Sequence, residues 1–313
     1  MKRKLITLIL TPMAISSLIG CKNDQPKANL GPVNVILISG QSNAVGCTRS
    51  SYIKTSMGVP TYNRFEAGFD NVLISYDCWT KDVYLPDSDP NKFYSQNKSK
   101  GFVPVKLGQG NGEETFGPEI GIADYLTDEE GTNWGDKVFI IKYACGASNL
   151  KDDWTEKNSP MYGRFIKYVK KAMSKLSNKG YKPTIKAFCW MQGEGDAWGP
   201  EYYNYYKTNL RTFVGNVRHD LLKLSGNQEM AFIDAKINGY GQWSAYGDGW
   251  AKVNIAKKEF AAESDNNFLI DTILEGMTSL NEPTGAADKD HYDSESEVKL
   301  GKLFAEAFEP FLE

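Results

Sequence analysis

Residues 35–46 read Val-Ile-Leu-Ile-Ser-Gly-Gln-Ser-Asn-Ala-Val-Gly. The apolar run Val35–Ile38 is too short for a helix and rich in β-branched side chains, so it reads as a strand buried on both faces. It ends abruptly at Gly40, and two amides, Gln41 and Asn43, then flank the hydroxyl of Ser42. A glycine is enough for a tight turn, but a turn alone does not call for an amide on each side of a serine. In a parallel sheet the loops after the strand C-termini converge on one edge, where such folds place their ligands. Ser42 is therefore a candidate for chemistry.

The same pattern recurs along the chain. Counting the first strand as Val33–Ser39, further short apolar runs follow at Val138–Cys145, Ile185–Trp190, Met230–Ile237 and Phe268–Ile273. Between them, Tyr162–Leu176, Tyr202–Leu224 and Trp250–Ala262 carry apolar residues at helical spacing, as does Ser294–Leu312 after the last strand. The last of these opens with a capping box, Ser294-x-x-Glu297. Alternating strands and helices argue for an α/β fold, a parallel sheet of about five strands with helices on both faces. Gly46–Phe116 breaks the rhythm; its Gly, Pro, Asn and Ser predict long loops with one short strand at Asn71–Ser75. No internal repeat or interdomain linker interrupts residues 33–313, which read as one domain.

Composition narrows the function classes. The 313 residues hold 39 acidic against 36 basic side chains, a net charge of −3, which argues against a nucleic-acid partner. Three of the cations, Lys2, Arg3 and Lys4, open an N-terminal segment whose apolar stretch is short and interrupted. Residues 1–20 therefore read as an export signal, not as part of the fold. Leu18-Ile19-Gly20-Cys21 resembles the lipobox of bacterial lipoproteins, which implies cleavage before Cys21, acylation of its thiol and a membrane-anchored, exported protein. Residues 21–32, polar and with two prolines, suit a flexible tether. The remaining cysteines, Cys47, Cys78, Cys145 and Cys189, allow three pairings, with buried free thiols equally compatible. With no C-x-x-C spacing and two histidines, no zinc site or other metal is expected, nor any cofactor.

Three strand ends deliver short polar or glycine-rich turns: Gly40–Asn43, Cys145–Asn149 and Trp190–Glu194. A serine becomes a nucleophile only with a base in reach. His219 lies between Arg218 and Asp220 on an amphipathic helix, where a solvated role is expected. His291 lies in a loop between the last strand and the last helix, and Asp288, three residues earlier, is near enough to orient its ring. Rival readings are weaker. A cysteine hydrolase at Cys145 leaves Ser42 unexplained. Gly108–Thr115 lacks the strand–GxGxxG–helix context of a nucleotide loop. A glycan-binding protein could stack sugars on Trp154, Trp198 or Trp243, yet has no use for the Ser–Asp–His set.

Taken in order, the motifs resemble the SGNH hydrolases, in the branch of sialate O-acetylesterases and acetylxylan esterases (carbohydrate esterase family 6 and relatives). The resemblance rests on Gly40-Gln-Ser-Asn43, Lys142-x-Ala144-x-Gly146-x-Ser148-x-Leu150, Trp190-x-Gln192-Gly-Glu194-x-Asp196 and Asp288-x-x-His291. Phe116–Glu119 and Leu300–Gly301 also resemble family positions, so the match spans nearly the whole mature chain. It implies a three-layer, flavodoxin-like fold and a serine esterase that removes O-acetyl groups from carbohydrate. Ser42 would be the nucleophile, His291 the base and Asp288 its orienting acid. An oxyanion hole would form from the Ser42 and Gly146 N–H groups and the Gln192 side-chain amide. Asn43 and Glu194 would brace the loops. The chain departs from the family at Ala147, where a second glycine is usual, which leaves open whether Gly146 or Ala147 supplies the backbone donor. Within the superfamily, a lipase or thioesterase would share the triad but favour a greasier loop region than Gly46–Phe116.

Overall fold

Strand β1 (Gly31–Gly40) buries every residue from Asn34 to Gly40 and pairs in parallel on both sides, as its unbroken apolar run requires. It takes in the last two residues assigned to the tether. This computed structural model describes residues 29–83, 86–127, 137–239, 247–279, 282 and 290–312. The segment read as an export signal, Cys21, Asp288 and Trp243 lie outside the described residues.

After β1 come β2 (Phe69–Lys81), β3 (Phe93–Lys98), β4 (Val103–Val105), β5 (Val138–Gly146), β6 (Tyr181–Met191), β7 (Ala231–Ala235) and β8 (Asn267–Ile270). They form one sheet in the order β8-β7-β6-β1-β5-β2-β3, with β4 also paired to β2. The six strands from β8 to β2 run parallel, while β3 and β4 are antiparallel to β2. All five strands read from the sequence are present. Numbered among themselves they stand second-first-third-fourth-fifth, the flavodoxin order, in which the sheet reverses direction between β1 and β6.

Besides two further single-turn helices, Ile53–Ser56 and Pro200–Tyr203, the described residues form α1 (Ser42–Val45), α2 (Val59–Ala67), α3 (Glu119–Leu126), α4 (Leu150–Asp153), α5 (Pro160–Lys179), α6 (Tyr206–Leu221), α7 (Gly249–Ala261) and α8 (Ser294–Phe308). They cover both faces of the sheet. An aromatic cluster joins β6 to α5 and α6: Phe165 stacks on Phe188 at 5.4 Å, and Trp190 lies 4.7 Å from Phe213. Elsewhere α3 and α8 cross so closely that a Cβ on Gly301 would run into the Pro118 carbonyl, and one on Gly121 into that of Val298. That contact accounts for the glycine of the Leu300–Gly301 motif.

Two local expectations need correction. The cap of α8 is Asp293, whose carboxylate accepts the Ser296 N–H at 2.9 Å; Ser294 is already the first helical residue. Beyond Gly46, the short strand expected at Asn71–Ser75 is the start of the 13-residue β2. Asp70, Asn71 and Asp77 interrupt its apolar pattern, so only the middle was legible.

Gly301→Ala is expected to destabilise the fold by about 1–3 kcal/mol, because the helix pair cannot separate without opening the core. Urea unfolding of the variant beside wild type measures it; an unchanged midpoint would refute the close crossing.

Candidate active site

The turn after β1 is built by Gly40, Gln41, Ser42 and Asn43. Gly40 has φ +140°, and a Cβ there would collide with the Met191 carbonyl, so this position requires glycine. The two amides then point back into the protein. Gln41 Oε1 accepts three N–H groups of the third motif: Gln192 Nε2 at 3.2 Å, Gly193 N at 3.2 Å and Gly195 N at 3.0 Å. Asn43 Nδ2 donates to Glu194 Oε1 at 2.8 Å, while Asn43 Oδ1 accepts the Tyr292 N–H at 3.1 Å. Asn43 and Glu194 thus brace the loops.

Ser42 sits between these anchors and lines a cavity of about 1080 Å³, together with Gly146, Ala147 and His291. Since Asn43 holds the residue next to His291, one side chain ties the serine turn to the histidine loop. At the start of α1 the Ser42 N–H has no intrahelical partner.

Beneath the turn lies a charge pair. Lys142 Nζ, fully buried, donates to Glu119 Oε2 at 2.7 Å, Gln109 O at 2.7 Å and Val45 O at 3.0 Å. Burial alone would push the ammonium down, but the Glu119 carboxylate outweighs it and holds it above its ordinary value. Glu119 Oε1 accepts the Gly117 N–H at 3.0 Å. Glu297, fully buried nearby with neither oxygen hydrogen-bonded, has its carboxyl pushed well up by burial. Sequence reasoning quoted Lys142 and Glu119 as motif positions without seeing that they meet.

Gln192, expected to turn its amide towards the oxyanion, lies behind the serine turn. Its amide is fully buried, and both its N–H groups are engaged, with Gln41 Oε1 and with Asp196 Oδ2 at 2.7 Å. Its own Oε1 accepts the Tyr206 hydroxyl at 3.0 Å. These contacts tie it to the serine turn and to α6. At the second motif, Gly146 closes β5, while Ala147 takes the left-handed position, φ 58°, despite its Cβ. Ser148 is consumed internally, donating to Cys145 O at 2.7 Å and accepting from Trp154 Nε1 at 2.9 Å.

The remaining candidates sort clearly. Trp154 is core, whereas Trp198 is half-exposed and lines the cavity. His219 is exposed on α6 against Asp220. The four described cysteines are free, and burial pushes the Cys145 thiol well up, which removes the thiolate a cysteine hydrolase needs.

A strand-end serine and a loop histidine sharing one cavity at the edge of a flavodoxin-ordered sheet give the chain an SGNH-like architecture. Residues 32–309 match the model of a family described as carbohydrate esterase, sialic acid-specific acetylesterase, and the chain belongs to that family. It is a carboxylic ester hydrolase. Among solved structures it is similar to NanS (TM-score 0.58, 14% identity, covering 90% of this chain and 97% of that one). It is equally similar to a protein from Arabidopsis thaliana (TM-score 0.57, 19% identity, 90% and 99%). A carbohydrate acetylesterase from Xanthomonas citri follows at TM-score 0.51 and 13% identity, covering 89% of this chain and 56% of that one. By sequence, no curated protein matches the chain.

Two outcomes test the geometry. Ala147→Gly should stabilise the protein by roughly 0.5–1 kcal/mol in denaturant titration, because it relieves a left-handed Cβ; a loss of stability would contradict the φ found here. The second concerns pH. Burial raises both Asp196 and Asp234 to about 6, above their ordinary 3.8. The folded state then binds protons more tightly than the unfolded chain, so stability is greatest below about pH 4 for these groups and falls as pH rises towards 6. Unfolding free energies at intervals from pH 4 to 7 should show that decline, flattened in Asp234→Asn.

Proposed function

We propose that the chain removes O-acetyl groups from carbohydrate by a serine mechanism with a covalent acyl-enzyme. Ser42 Oγ attacks the acetyl carbonyl while His291 takes its proton. The tetrahedral oxyanion is held by the Ser42 N–H, by the backbone N–H at Gly146, or Ala147 beside it, and by the Gln192 side-chain amide. Collapse of that intermediate breaks the bond to the sugar oxygen, which leaves with the proton from His291. Water, deprotonated by His291, then attacks the acetyl-serine; the second tetrahedral intermediate releases acetate and returns the proton to Ser42. Asp288 is the residue assigned to orient the imidazole.

The observation that carries this reading is the hydrogen bond from Tyr292 N to Asn43 Oδ1, which joins the neighbours of Ser42 and His291 beside one cavity. Family membership supplies the acetylated sugar as substrate class. Export and lipid anchoring through Cys21 belong to the same proposal, since such substrates lie outside the cytoplasm.

Acetate release by the mature protein from O-acetylated sialic acid and acetylated xylan oligomers is the direct test. Ser42→Ala and His291→Ala should each lower kcat by about a thousandfold or more with unchanged circular dichroism. Wild-type turnover in either variant would remove the triad.

A further inference from the structure

The cavity is larger than one acetylated ring needs. At about 1080 Å³ it reaches the upper end of the range that encloses ligands of several rings. Beside the serine turn its wall includes Trp198, Tyr202, Asn149 and Asp152. The indole of Trp198 is 50% exposed, whereas Trp154 and Trp190 are wholly buried in the core.

We propose that Trp198 and Tyr202 form an accessory sugar platform, so that the preferred substrate carries its acetyl group on a chain of at least two rings. This rests on the acetylesterase reading and specifies its substrate. A pyranose offers an apolar C–H face and a rim of hydroxyls, and it is recognised by an aromatic face beside polar side chains. Both are here. Asn149 Nδ2 donates to Asp152 Oδ2 at 3.1 Å, leaving the amide a second hydrogen and the carboxylate further lone pairs for hydroxyls. An acyl chain would need a continuous apolar wall, which these two residues interrupt.

The platform is also held in place. Asp196, two residues before Trp198, accepts the Leu150 N–H at 2.6 Å and the Gln192 amide at 2.7 Å. The Ala197 N–H closes the turn onto Gly193 O at 3.0 Å. Lys151 Nζ stands 5.2 Å from the Tyr202 ring centre and donates to Glu201 O at 3.0 Å. The loop bearing the aromatics is therefore fixed to the same residues that support the serine turn, and a ring seated on it keeps a set distance from Ser42.

The test compares 4-nitrophenyl acetate, O-acetylated sialic acid, the same acetylated residue in sialyllactose, and acetylated xylobiose and xylotetraose. Wild type should favour the multi-ring member of a series. Trp198→Ala should lower kcat/KM on multi-ring substrates by about tenfold, mainly through KM, with 4-nitrophenyl acetate within about twofold. Trp198→Phe should recover most of the loss. Equal use of single-ring and multi-ring sugars by wild type, or an equal loss on 4-nitrophenyl acetate, overturns the platform. Calorimetric titration of Ser42→Ala with sialyllactose or xylotetraose separates this from the catalytic reading. Saturable binding lost in Ser42→Ala/Trp198→Ala supports the platform even where no acetate is released, and binding unaffected by the second change refutes it.

Discussion

The buried contact between Lys142 and Glu119 holds three otherwise separate parts of the molecule together. Removing both charges from water costs several kcal/mol per ion, and only complete pairing offsets it. The three ammonium protons meet that demand: one to α3 through Glu119, one to the Gln109 carbonyl and one to the Val45 carbonyl at the end of α1. β5, the long loop region and the helix bearing Ser42 are thereby fixed at one point. Burial pushes the nearby Glu297 carboxyl well up, which disfavours a second negative charge beside the pair. A second carboxylate there would compete with Glu119 for the single ammonium.

Above that pair, the opening turn works by alternation. Gln41 and Asn43 point into the third motif, and Ser42 between them lines the cavity. The flanking amides are therefore the means by which three loops become one body. Loops are ordinarily the mobile part of a fold, and catalysis needs reacting groups held to fractions of an ångström. Here the restraint comes from side chains that are neutral, short and buried, so it does not disturb the charge that develops at the serine.

Much of the sheet was readable because each buried parallel strand is a continuous apolar run, and its end announces itself by glycine. What escaped the sequence was set by tertiary partners. β2 was legible only where both faces are apolar, since its polar residues are satisfied later by the β3 hairpin, as when Ser95 donates to Asp77 at 2.7 Å. The α8 cap moved to Asp293 because capping depends on backbone direction at one residue, which pattern alone leaves open. Gln192 was assigned by analogy of position. Its contacts with Asp196 and Tyr206 were not legible, because those residues meet it in space but look unremarkable in the sequence. Charge pairing was the least legible feature, since Lys142 and Glu119 are quoted easily as motifs but show nothing of each other.

The division of labour within the fold follows from these placements. The five-strand flavodoxin core carries the groups proposed to react, at the ends of β1 and β5 and in the loop before α8. The cavity wall comes partly from elsewhere: Trp79 and Lys81 from β2, and Gln96 from β3. That added hairpin is bolted to the core by Lys81, whose ammonium reaches both oxygens of Asp153 at 2.9 Å. Asp153 in turn accepts the Asn149 N–H at 2.8 Å, in the loop that follows Gly146. The hairpin therefore has a rigid mounting next to the oxyanion region while contributing no group to the reaction itself. Side chains along it can vary the cavity wall without moving the turn that carries Ser42, because the site's lining and the fold are separable.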